Sequence, residues 1–225
     1  MNRLKMLVLA IATLAVPRLH GDESEKQPSF SVGDRAPSSA VARFVTGPWA
    51  DPQPRVACPV LLNRKSPKVA VYTRAVTPAV VELLKALDAV VAEQDALKWS
   101  FVLVSHENDP RPTDEEFNAQ LKELELLASK QSLRSLSLGV LERAPVPAQV
   151  VRRKLKLGFL EQGETIVALI APPESSKRSF AELHYVHRFH ADDISANKLD
   201  EVVVDLRNAC SKTLQNDADA VGDSP

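Results

Sequence analysis

Cysteine is nearly absent from this chain. Cys58 and Cys210 are the only two in 225 residues, too few for a disulfide-built scaffold, though enough for one bridge in an oxidising compartment. A bridge between them would close a long loop and add on the order of a few kcal/mol. Patterns of the form GxGxxG, GxxxxGKS/T, GxSxG and HExxH are missing as well. That removes the sequence basis for a nucleotide cradle, a serine hydrolase or a zincin, and no cofactor is expected. Neither sign of charge dominates: 28 Lys and Arg stand against 29 Asp and Glu, a net of −1. Nothing in that balance argues for nucleic acid as a partner.

Long apolar runs are missing too, with one exception. Met6–Val16 (MLVLAIATLAV) follows the basic Met1–Lys5 and is too short to span a bilayer. Residues 1–21 therefore read as a secretory signal peptide ending near Gly21, and the mature chain is expected to be exported, periplasmic or extracellular, without a membrane span. Its removal takes away Arg3, Lys5 and Arg18 and leaves the mature chain mildly acidic. Residues 22–30 are polar and aperiodic and read as a disordered lead-in. Seven of the 16 prolines lie between Pro28 and Pro67, which predicts irregular chain with at most one short edge strand.

What is present is a run of strand and helix signals. Pro67–Val80 (PKVAVYTRAVTPAV) puts a continuous β-rich strand, Lys68–Arg74, ahead of Thr77 as N-cap and Pro78 at the first helical position. Val80, Leu84, Leu87 and Val91 then recur at helical spacing, predicting a helix to about Leu97. Trp99–Ser105 is a second buried strand. Thr113 and Glu116 form a capping box, with Phe117, Leu121, Leu124 and Ala128 on the buried face that follows. Leu136–Leu141 is a third strand, Ala148–Lys156 a short basic helix, and Glu164–Ala171 with Phe180–Phe189 an antiparallel hairpin. A last helix covers Ser195–Cys210, and residues 211–225 read as a disordered tail. The order predicts an α/β three-layer fold: a central mixed sheet of about five strands with helices on both faces.

Several stretches carry a family resemblance. Val32–Pro37 (VGDRAP) is similar to the lead segment of peroxiredoxins. Cys58–Asn63 (CPVLLN) followed by PKVAVYTR resembles exported bacterial thioredoxin-like proteins of the planctomycete type. The resemblance spans residues 31–210 and implies a thioredoxin-like domain. It also implies where a reactive thiol belongs: in a TxxC element at the first turn after the central strand, where a helix N-terminus lowers the thiol pKa. Here that element reads Thr77-Pro78-Ala79-Val80. The thioredoxin-type CxxC is absent from the same turn, and Gly163-Glu164-Thr165 stands where the cis-proline belongs. The resemblance therefore implies a degenerate site and a non-catalytic binding or scaffolding module for a protein partner.

The alternative is a thiol redox protein or peroxiredoxin-like antioxidant working through Cys58. Leu61 occupies the second cysteine position of a CxxC, and no basic neighbourhood activates the thiol. The histidines His184, His187 and His190 are spaced by three, so strand alternation would let only His184 and His190 converge on a metal. His106, Glu107 and Asp109 would have to join through the fold. The basic run Arg152–Lys156 lacks interleaved aromatics and reads as a solvated helix face.

Overall fold

A computed structural model describes residues 30–36, 41–50, 55–61, 63, 65–105, 113–141, 160, 163–172, 181–190 and 195–222. Its strands are β1 (Ala42–Phe44), β2 (Arg55–Ala57), β3 (Lys68–Thr73), β4 (Phe101–Val104), β5 (Ser137–Leu141), β6 (Glu164–Ala171) and β7 (Glu182–His190). Its α-helices are α1 (Pro78–Ala92), α2 (Asp114–Gln131) and α3 (Ala196–Gly222). The strands form one sheet in the order β2-β1-β5-β4-β3-β6-β7. Strand β3 runs parallel to β4, and β4 to β5, while β6 lies antiparallel to β3 and β7 antiparallel to β6. Two crossovers through α1 and α2 followed by a hairpin and a terminal helix are the thioredoxin-like arrangement expected from the sequence. The strand count is seven rather than about five because β1 and β2 extend the β5 edge.

Strand alternation splits the core into two layers. On β3, Val69 and Val71 join a cluster with Leu84 and Leu87 of α1, Leu121 and Leu124 of α2, and Val202 and Leu206 of α3. All three described helices therefore cover the same face. Ala70 and Tyr72 point the other way, into a cluster with Phe30, Phe44, Trp49, Phe101 and Leu160. The far face is covered, among the described residues, by the N-terminal chain; the basic helix expected over Ala148–Lys156 lies outside them, as do residues 1–29. The last lead-in residue, Phe30, is itself a core residue, meeting Tyr72 edge-on at 5.7 Å.

Helix α1 ends at Ala92, and a 3-10 turn at Asp95–Leu97 completes the stretch expected to be helical. Helix α3 continues to Gly222, well past Cys210. Residues 211–222, expected to be a disordered tail, are thus helical, and the buried Thr213 anchors them against β7. No helix among the described residues is long and apolar enough to cross a membrane.

Candidate functional site

The carboxyl end of β3 meets the start of α1 at the point where open α/β sheets place their chemistry. Thr77 holds an extended backbone (φ −83°, ψ 164°), and its hydroxyl oxygen accepts from the Val80 N–H at 3.3 Å. Pro78 needs no partner for a missing N–H, so the helix start is locally satisfied. Val80, which stands in the nucleophile position, is 1% exposed and packed into the helix-side core. On the same face, Thr73 donates its hydroxyl proton to the Ala75 carbonyl at 2.8 Å. With that proton committed, the 3.0 Å contact between the Thr73 and Thr165 hydroxyls must have Thr165 as donor.

The opposite face of this edge is charged. Gly163 turns the chain at φ +75°, and Glu164 follows, 4% exposed. One Arg188 nitrogen, Nη1, donates to both Glu164 carboxylate oxygens at 2.9 Å. Arg74 donates from Nη2 to the Leu160 carbonyl at 2.6 Å. The residue in the cis-proline position is therefore a buried, ion-paired carboxylate. The pair spans β6 and β7 and ties the hairpin together.

The two cysteines do not come together. Cys58 follows β2, is half-buried, and packs against the far-side core near Tyr72. The Tyr72 hydroxyl is pushed well above its usual range, first by burial and then by the neighbouring Cys58. Cys210 is buried on α3 in the helix-side core, where burial pushes its thiol up to about 11. Neither is in a disulfide, and they lie on opposite faces of the sheet. The disulfide considered from the sequence is not formed, because the sheet itself separates the two side chains.

The histidines also sort differently from strand alternation. β7 carries a bulge: Leu169 pairs with Tyr185 and Ile170 with Leu183, leaving His184 as the extra residue. His184 reaches Thr213 of α3 through Nδ1 at 3.2 Å and so lies on the helix side with His187. His190 pairs across from Glu164, in register with Arg188 on the other face. His184 and His190 diverge, which removes the metal pair expected from spacing. Among the described residues no three His, Cys, Asp or Glu side chains gather to hold a metal. His106, Glu107, Asp109 and the run Arg152–Lys156 lie outside the described residues.

One feature sequence reading missed is an open cleft of about 500 Å³ beside the start of α1. The stripe Gln120, Leu124, Leu127 on α2 was its only signal, and helical spacing alone reads such a stripe as core-facing.

No protein-family model matches the chain. No curated protein matches it. Among solved structures it is similar to a peroxiredoxin-like protein from Aquifex aeolicus, at 17% identity over 81% of this chain and 89% of that one, TM-score 0.47. It is also similar to a thiol peroxidase from Chromobacterium violaceum, at 12% identity over 78% and 87%, TM-score 0.42. A cysteine-to-serine mutant of PrxQ from Xylella fastidiosa is similar at 11% identity over 81% and 98%, TM-score 0.43. Likenesses at this level carry no inference about activity, and the thioredoxin-like assignment rests on the strand order and crossovers.

Proposed function

We propose that this chain is an exported thioredoxin-fold protein that works as a binding or scaffolding module for a protein partner, without thiol chemistry at the usual site. The observation that carries the reading is the start of α1, where the Thr77 oxygen takes up the Val80 N–H and Val80 itself is enclosed. An activated cysteine needs a helix N-terminus or a cation nearby and some access to solvent. Cys210 is buried with a raised pKa, and Cys58 packs on the face away from α1.

The test is thiol-dependent turnover in hydroperoxide-reduction and insulin-reduction assays, with a Cys58→Ser/Cys210→Ser double variant as baseline. The expected result is a rate equal to that baseline. A rate above it that disappears in Cys58→Ser would overturn the reading. That outcome belongs to the second reading, a one-cysteine redox protein, which is favoured by one observation: Cys58 is in no disulfide and is only half-buried. Export rests on the basic start and apolar run of residues 1–16. N-terminal sequencing of the protein from an extracytoplasmic fraction should read from near Asp22, and an intact Met1 in the mature protein would refute export.

A further inference from the structure

Lys68 opens β3 with its side chain 1% exposed, the most enclosed charged side chain among the described residues. Its Nζ donates to the Asn63 carbonyl at 2.6 Å and to the Ser66 carbonyl at 2.7 Å. Both acceptors belong to one turn, in which the Ser66 N–H donates to the Asn63 carbonyl at 2.9 Å. Asn63 takes the left-handed conformation there (φ 50°). Just upstream, the Leu61 N–H donates to the Cys58 carbonyl at 3.2 Å, and Val60 is buried in the far-side core. Val60 and the Lys68 amine thus hold the chain from Cys58 to Ser66 against the sheet.

The number of donors on the amine matters here. An ammonium carries three N–H groups and a neutral amine two. Among the described residues Nζ has two acceptors, both of them backbone carbonyls. The neutral amine matches the turn donor for acceptor, whereas the charged form buries a third N–H and a charge without a carboxylate partner. The ionisable groups around it are Cys58 and Lys65 in the segment, Asp95 and Lys98 before β4, and Glu182 on β7. β4 itself carries none, and Glu164 of β6 lies at the end of the strand away from Lys68. Burial, rather than any of these charges, brings the amine down to about 8 from its usual 10.5.

We propose that the Asn63–Ser66 turn is a pH-sensitive latch, fastened by Lys68 and held more tightly once that amine has lost its proton. When the turn lifts, Lys68 reaches water and binds a proton as an exposed lysine does. Closing therefore releases a proton between about pH 8 and 10.5. The closed form gains on the open one as pH rises through that window, and opening is most frequent at neutral pH and below. Cys58 begins the segment that lifts, so its exposure follows the same equilibrium. The latch is independent of the binding-module reading, which makes no use of Lys68.

The test is amide hydrogen exchange of the full chain at pH 7 and pH 9, corrected for intrinsic exchange rates. Leu61 and Ser66 amides report the segment, and β4 amides report global unfolding. Expected is roughly tenfold greater protection of Leu61 and Ser66 at pH 9, as the change from 10.5 to about 8 requires. Both amides should exchange faster than those of β4 at either pH. In Lys68→Met the tenfold difference should vanish. NMR titration of the wild-type Lys68 side chain should show a midpoint near 8, a measurement that stands even if Lys68→Met does not fold. Equal protection at the two pH values, exchange of Leu61 and Ser66 no faster than β4, a pH difference that persists in Lys68→Met, or a Lys68 midpoint near 10.5 would each overturn the latch.

Discussion

Asp88 on α1 offers a quantitative test of how the helix layer is joined to the sheet. Its carboxylate accepts three backbone N–H groups from the segment between α2 and β5: Arg134 at 3.2 Å, Ser135 at 2.8 Å and Leu136 at 2.7 Å. Ser132 ends α2 in the left-handed region (φ 58°), and these donors lie in the short turn from there into β5. Asp88→Ala removes all three acceptors. A hydrogen bond to a charged group contributes about 1.5–3 kcal/mol net. The bond to Arg134 is exposed, and water replaces it at small cost. The two shorter bonds are partly buried and are not additive, so the loss should be about 3 kcal/mol. For a chain of this size that corresponds to a fall in Tm of about 6–12 °C. Asp88→Asn keeps one acceptor oxygen, gives up the charge, and should lose about 1–1.5 kcal/mol. Urea unfolding at pH 7 should order the proteins wild type, Asn, Ala, with an unchanged m value. An Ala variant within about 0.5 kcal/mol of wild type would refute the reasoning, since surface substitutions without structural consequence fall in that range.

His187 should set part of the acid limb of stability. Burial and Lys198 lower its pKa below 6.5, outweighing Asp205 and Glu201. The folded state therefore takes up its proton at lower pH than the unfolded chain, so its contribution is present above about 6.5 and declines as pH falls; His187→Gln should flatten the stability profile between about pH 5 and 7, and an unchanged slope would count against it. Cys210 should resist alkylation in the native protein at pH 8 while Cys58 reacts, because only the former is enclosed with its pKa near 11; mass mapping that finds Cys210 labelled first would contradict the placement. Gly47→Ala should cost about 2–4 kcal/mol, measured by denaturant unfolding. Gly47 sits at φ +68°, and a Cβ there would lie 2.6 Å from the Leu136 carbonyl oxygen and 2.8 Å from the Ser137 backbone.

Local rules carried much of the fold. The bounds of β6 follow directly from ETIVALIA, and the Thr113–Glu116 capping box closes as its residue types require, with the Thr113 N–H donating to the Glu116 carboxylate at 2.6 Å. What escaped depends on contacts distant in sequence. β1 and β2 are three residues each, too short for period-two alternation, and exist because β1 pairs onto β5 and β2 onto β1. The far end of α3 is polar and shows no apolar stripe, yet Thr213 is 4% exposed against β7. The site was misread for the same reason. A one-residue bulge inverts the facing of His184 relative to the rest of β7, and no strand pattern announces a bulge of that kind. The absence of a thiol at the start of α1 was legible residue by residue, whereas the cleft beside it depends on how α2 packs.

The start of α1 bears on whether a thiol site could be regained by one substitution. Three threonine hydroxyls near it are already committed: Thr77 to Val80 N–H, Thr73 to the Ala75 carbonyl, and Thr165 to Thr73. The Val80 side chain lies among Leu83, Leu84 and Val104 in the helix-side core, with 1% exposure. A cysteine placed there would gain the helix dipole, which favours thiolate by a fraction of a kcal/mol to about 1 kcal/mol. It would also be desolvated, which disfavours thiolate, as it does at Cys210 in the same core. The enclosing side chains also block approach of a peroxide or disulfide. Reactivity at this turn therefore needs the site opened as well as the residue changed, and the local structure is organised around keeping it closed.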